Sequence, residues 1–193
     1  ENPPLSGREL LELKSIISGI PEDIDEYERL AEQFAADGEI DRSGRTRVLV
    51  TGVPHAHGAE HVIDLIENRG GLVVCMENCT GVKPILEDVD ENAEDPLEAV
   101  ARTYLRLPCS VMTPNPGRLD NLRELSKRFR PDCIIDVVWQ ACLTYDVESG
   151  IVRKFTEEEL GIPYLKIETD YSTSDSARIA TRIEALFETA SQR

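Results

Sequence analysis

Three cysteines lie at positions of the sequence where proteins place reactive groups or metal ligands. Cys79 follows a short apolar run, Cys109 follows a helical pattern, and Cys142 follows a second apolar run. A thiolate is both a nucleophile and a metal ligand, and Gly81 beside Cys79 would let a ligand approach the backbone. The sequence therefore favours a metal or thiolate site at Cys79, Cys109 and Cys142. The alternative is that these cysteines lie in connecting loops and have no role.

The spacing of the cysteines indicates which kinds of metal site the chain could form. No two of these cysteines form a C-x-x-C pair, which disfavours a zinc ribbon. Cys75 and Cys133 lie inside apolar runs and are predicted to be core residues. Cysteines that are distant in sequence can still gather around an iron–sulfur cluster, because such clusters need thiolates assembled in space.

Two histidines follow the first apolar run. His55 and His57 are two residues apart, and on an extended loop both could face the same side as a proton donor or ligand pair. The loop at 52–58 has neither the G-x-x-x-x-G-K-[ST] nor the G-x-G-x-x-G spacing, so it is not a phosphate-binding loop. We favour the simpler interpretation that it is a solvated loop that caps the next helix.

The composition and net charge of the chain indicate what the protein can bind. The 193 residues include 21 Lys and Arg and 37 Asp and Glu, which gives a net charge of −16. Such a charge argues against binding to nucleic acid or to anionic membrane surfaces, because both are polyanions.

No apolar run approaches the roughly 18 residues of a membrane helix, and no signal segment is evident. We expect a cytoplasmic protein whose five cysteines are reduced thiols or metal ligands. The chain begins with Glu1 instead of methionine, which suggests processing or a piece of a longer protein.

The elements that must position these residues alternate along the chain. Predicted strands occupy residues 47–52, 72–76, 133–138 and 163–168, and predicted helices occupy 58–69, 96–107, 117–129, 147–160 and 174–191. This alternation predicts a doubly wound parallel sheet of about four strands, a flavodoxin- or Rossmann-like three-layer sandwich. Residues 5–37 are predicted to be mostly helical. The expected organisation is a helical segment and linker at 1–44 and an α/β domain at 45–193. Ligands of such sheets lie beyond the carboxyl ends of the strands.

Several of these segments together resemble a known family. The segments at 77–81, 102–110, 141–145, 161–163 and 168–172 resemble the 2-hydroxyacyl-CoA dehydratase family in order and spacing. That family also includes benzoyl-CoA reductase subunits and double-cubane cluster reductases. The resemblance runs from about residue 45 to the end. Because two similar α/β halves make a subunit about twice this length, the chain resembles a C-terminal half.

The resemblance implies a cofactor and partners. Such subunits hold a [4Fe–4S] cluster, or half of a double cubane, on three cysteines. Cys142 matches a ligand position, and Cys79 and Cys109 match cysteine positions of the double-cubane branch. An ATP-hydrolysing iron–sulfur activator supplies one electron, a second subunit completes a homo- or heterodimer, and a CoA-thioester substrate loses water through a ketyl radical. Because the other dehydratase ligands come largely from the N-terminal half, we expect the isolated chain to be apo and inactive.

Two other functions stay open at this point. The chain could be a fragment of a double-cubane cluster reductase that acts on small molecules. It could also be a non-enzymatic α/β binding or interaction domain that uses its acidic loop at 77–95 for partners.

Overall fold

Four parallel strands form the centre of the molecule. The computed structural model describes residues 3–13, 20–37 and 42–192. The strands are β1 (Thr46–Gly52), β2 (Gly71–Met76), β3 (Cys133–Trp139) and β4 (Tyr164–Thr169). They pair in the order β2-β1-β3-β4, and every pairing is parallel. This is the predicted α/β fold class, and each predicted strand is confirmed to within two residues.

Helices cover both faces of the sheet. They are α1 (Gly7–Leu13), α2 (Pro21–Asp37), α3 (His61–Asn68), α4 (Pro96–Leu105), α5 (Pro116–Phe129), α6 (Leu143–Phe155) and α7 (Ser176–Ser191). One core joins α3 and α7 to Val48 and Val50 of β1, and a second joins α5 and α6 to Leu49 of the same strand. Alternate residues of β1 thus enter opposite cores, as the period of two in a strand requires. None of the helices in the described ranges is long and apolar enough to cross a membrane.

The predicted helix boundaries differ from the structure at two places near the site. The helix predicted from residue 58 begins at His61, because Gly58 adopts a φ of +92° that belongs to a turn. The helix predicted from residue 147 begins at Leu143. Its buried face includes Tyr145, whose polar neighbours hid the helical pattern in the sequence. Cys142 is consequently the N-cap residue of α6, and residues 14–19 of the predicted N-terminal helix lie outside the described part.

The chain order of the strands changes direction at β1. From β1 the chain moves outward to β2 on one side, and β3 then pairs with the opposite side of β1. The carboxyl ends of β1 and β3 therefore form a switch point, where ligands of open α/β sheets bind. Gly52 ends β1 with a φ of +102°. A Cβ on Gly52 would lie 2.1 Å from the backbone oxygen of Val137 in β3.

Candidate functional site

The structure separates the five cysteines into two groups. Cys75 and Cys133 are buried in strands, while Cys79, Cys109 and Cys142 are half-buried. Burial raises the pKa of Cys75 and of Cys133 to about 12, so both stay protonated at neutral pH. The prediction that these two cysteines belong to the core is confirmed. The remaining three follow β2, α4 and β3.

Contacts bring the loops of Cys109 and Cys142 together. The sulfur of Cys142 lies 3.8 Å from Thr144 Oγ1. The hydroxyl of Ser110, which follows Cys109, donates to the same Thr144 oxygen at 3.3 Å. The first turn of α6 therefore joins the Cys109 loop to Cys142.

Tyr145 connects the third cysteine to this group. Its pKa is raised chiefly by burial and then by the nearby thiol of Cys79, and Cys109 adds in the same direction. The phenol of Tyr145 therefore lies within electrostatic range of both Cys79 and Cys109. That the three distant cysteines gather around one cofactor stays a prediction.

The donor set is compatible with an iron–sulfur cluster. In the ranges 3–13, 20–37 and 42–192, no three His, Cys, Asp or Glu side chains are close enough to hold a single metal ion. An iron–sulfur cluster differs from a single ion, because its thiolate ligands surround a cube of iron and sulfur and are spaced more widely. Cys79, Cys109 and Cys142 are free, half-buried thiols on three separate segments, which is the type of donor that such a cluster uses.

A buried ionic network lies beneath this edge. Its members are Glu77, Lys83, Arg118, Asp136 and Glu148. The first four side chains are at most 2% exposed and that of Glu148 is 13% exposed. Glu77 pairs with Lys83 at 3.2 Å. Arg118 lies 3.7 Å from Glu77 and 3.8 Å from Asp136, and it donates to Glu148 at 2.5 Å.

Arg118, Asp136 and Glu148 were not among the predicted site residues, although the sequence carries a signal for the first two. Arg118 lies four residues before Leu122 and seven before Leu125, which places it on the buried stripe of α5. Asp136 lies among apolar neighbours in the middle of β3. A charge on an apolar stripe is a buried charge, which requires a partner. Glu148 carries no comparable signal, since acidic residues are common on helices.

Burial and partners set the protonation of the network. Burial raises the pKa of Asp136 to about 6, although Arg118 and a hydrogen bond from the Tyr164 hydroxyl at 2.9 Å oppose the shift. For Arg118, burial acts to lower the pKa, but Glu77, Asp136 and Glu148 outweigh it and the pKa is raised. Arg118 is therefore a permanent positive charge among carboxylates.

The two histidines occupy different environments. His55 is 3% exposed, and its Nδ1 lies 2.7 Å from Nδ2 of Asn78. Asn78 Nδ2 also donates to Val53 O at 2.9 Å, so Nδ1 of His55 accepts and Nε2 carries the proton. His57 is fully exposed and 3.2 Å from Glu60. Both histidines line one cavity together with Thr80, but the hydrogen bond to the Asn78 amide holds only His55 in the interior.

We expect His55 to make the protein less stable in mild acid. Burial, with His61 nearby, lowers the pKa of His55 to about 4, against about 6.5 in an unfolded chain. The folded state then binds fewer protons, so its stability falls as the pH drops from 6.5 towards 4. The loss amounts to about 2 kcal/mol at pH 5. Urea unfolding of the wild type and of His55→Gln at pH 7 and pH 5 measures this loss of stability.

The matched control for this prediction is His57→Gln, which should keep the pH dependence of the wild type because His57 is solvated. The prediction fails if the wild type and His55→Gln lose the same stability between the two pH values.

The fold and the site define a parallel α/β domain that carries three half-buried thiols at the carboxyl edge of its sheet. The chain belongs to the 2-hydroxyglutaryl-CoA dehydratase, D-component family, whose model matches residues 1–190. This match extends the resemblance, which began near residue 45, to the N-terminal helices.

A curated relative supports the same family. Over 160 residues the chain is 41% identical to a protein of Escherichia coli (strain K12) named "Putative dehydratase subunit YjiM". The aligned part is 83% of this chain and 41% of that protein. The chain thus spans about two fifths of the length of this relative.

Proposed function

We propose that this chain is the C-terminal, cluster-binding domain of a 2-hydroxyacyl-CoA dehydratase-type subunit. The observation that supports the proposal is that a chain of a dehydratase family has three half-buried free cysteines, Cys79, Cys109 and Cys142, in the segments after β2, α4 and β3. When bound, a [4Fe–4S] cluster would supply one electron, received from an ATP-hydrolysing iron–sulfur activator, for loss of water from a 2-hydroxyacyl-CoA through a ketyl radical.

The residues of this chain would hold and orient the thiolates. Cys142 is the proposed ligand from the start of α6, and Cys79 and Cys109 are proposed from the loops after β2 and α4. The ring of Tyr145 lies between these loops and the ionic network, with the guanidinium of Arg118 5.0 Å from its centroid. The amino group of Lys83 lies 5.8 Å from the same centroid, so the ring packs against both buried cations of the network.

The proposed subunit acts with partners. We propose a second subunit, identical or different, and an ATP-hydrolysing activator. The acyl group of the substrate would be recognised partly by residues outside this chain, since the chain spans 41% of its relative. The net charge of −16 does not favour the anionic CoA moiety, so we place the CoA contacts mainly on those other residues.

Half of a double cubane is the second candidate. It is favoured by the resemblance, because Cys79 and Cys109 match cysteine positions of the double-cubane branch and both are half-buried free thiols. The iron content distinguishes the two: a single cluster contributes four irons per subunit, and a double cubane contributes about twice that number.

Iron analysis of the subunit in its full natural length, purified and reconstituted without oxygen, tests the proposal. We expect Cys142→Ala to lower the iron content at least about twofold, because a cluster loses one of its thiolate ligands. The matched control is Cys133→Ala, which removes a buried thiol and should retain the iron.

Two results would contradict the proposal. A reconstituted wild-type subunit without iron would rule out the cluster. Equal iron loss in the two variants would show that Cys142 is not distinguished from a core cysteine.

A further inference from the structure

Asn115 connects the Cys109 loop to α6. Its side-chain nitrogen Nδ2 donates to the backbone oxygen of Cys109 at 3.0 Å and to Glu148 Oε1 at 2.8 Å. Asn115 is the N-cap residue of α5, a position where asparagine usually accepts from a helix N–H. Here its side chain makes no capping hydrogen bond. The amide therefore holds two other segments together instead of stabilising its own helix.

Glu148 continues the connection to Arg118. Its second carboxylate oxygen accepts from Arg118 Nη1 at 2.5 Å. Nη2 of the same guanidinium donates to Thr51 Oγ1 at 3.0 Å, and this hydroxyl donates to Glu77 Oε2 at 2.5 Å. Glu77 precedes Cys79 by two residues. One continuous series of polar contacts thus runs from the backbone of Cys109 to the strand end that carries Cys79.

The same series reaches the third cysteine. Glu148 lies on α6, and Cys142 is the N-cap of this helix. Tyr145, one turn before Glu148, lies against Arg118 at 5.0 Å. The three segments that carry Cys79, Cys109 and Cys142 are distant in sequence, and each is joined to Arg118 or Glu148.

We propose that the series Asn115–Glu148–Arg118 is a positioning device that sets the separation of the three thiols at the sheet edge. The inference rests on the proposed function for its purpose, since a cluster requires thiolates at fixed separations. It concerns contacts of this chain alone, so the thiol separation can be measured without a cluster. Asn115 touches no reacting atom and is a positioning residue.

The decisive variant is Asn115→Ala, which removes the contact to Cys109 and leaves the buried charges paired. In the 193-residue chain with a Cys79→Ser background, a short bis-maleimide reports the separation of Cys109 and Cys142. Cys75 and Cys133 are buried and do not react in the folded chain. We expect the cross-linking yield to fall about tenfold, because the second reaction is intramolecular and depends on effective concentration.

Two controls separate positioning from general loosening. Asn121→Ala makes the same change on the same helix at a residue with no side-chain hydrogen bond in the described ranges, and it should cross-link like the parent. Modification of single thiols by N-ethylmaleimide should stay within about twofold in both variants. Unchanged cross-linking in Asn115→Ala overturns the inference, and so does an equal fall in Asn121→Ala.

A second measurement uses the subunit in its full natural length. If the cluster is present, we expect Asn115→Ala to retain iron and to change the electron paramagnetic resonance signal, whereas Asn121→Ala keeps the signal of the wild type. An identical signal in all three proteins contradicts the inference. Absence of iron from the wild type contradicts the proposed function instead, and the cross-linking result stands independently.

Discussion

Arg118→Met should lower the free energy of unfolding by about 3–5 kcal/mol, because it leaves buried carboxylates without their cation. Arg118 is 1% exposed and lies within 4 Å of Glu77, Asp136 and Glu148. Lys83 still neutralises Glu77, but its amino group has no such contact with Asp136 or Glu148. Methionine fills a similar volume, so the loss comes from the uncompensated charges. Urea unfolding at pH 7 measures the change.

Arg102→Met is the matched control. Arg102 pairs with Glu98 one turn away on α4, and both side chains are about two-thirds exposed. Pairs of this kind contribute less than about 1 kcal/mol. If Arg118→Met costs no more than Arg102→Met, the network does not depend on Arg118, and Asp136 must be neutral in the folded protein.

The sequence was sufficient for the fold because the sheet follows from local patterns. Apolar strands alternate with amphipathic helices, and this alternation predicts a parallel sheet with right-handed connections. The division of the cysteines followed in the same way, since Cys75 and Cys133 lie inside apolar strands. The start of α6 was predicted at residue 147 instead of Leu143. The first turn exposes the apolar Leu143 and buries Tyr145, whereas apolar side chains usually mark the buried face of a helix.

The ionic network could not be assembled from the sequence. Its contacts join residues 41 positions apart, as between Glu77 and Arg118, and no local pattern specifies such a pairing. His55 shows the same limit. Its burial depends on the amide of Asn78, which comes from the loop after the neighbouring strand. Local periodicity identifies the elements, whereas the partners of buried polar groups depend on tertiary packing.

Gly52→Ala should strongly destabilise the protein, since the end of β1 has no room for a side chain. The new Cβ would lie 2.1 Å from Val137 O and 2.6 Å from Asp136 Oδ1, at a φ of +102°. Val137 O accepts the hydrogen bond from Val53 N at 2.9 Å, so β1 and β3 must separate where the loop to His55 begins. Strain and steric overlap together should cost about 2–5 kcal/mol.

Replacing Gly150 with alanine should stabilise the protein, in contrast to Gly52→Ala. Gly150 lies within α6, and a Cβ there would meet nothing within 4 Å. Alanine should raise the free energy of unfolding by about 0.5–1 kcal/mol, because it reduces the entropy that glycine loses in a helix. Urea unfolding of both variants at pH 7 tests the pair. A neutral Gly52→Ala would contradict the prediction, because it would mean that β1 and β3 can separate at the switch point without loss of stability.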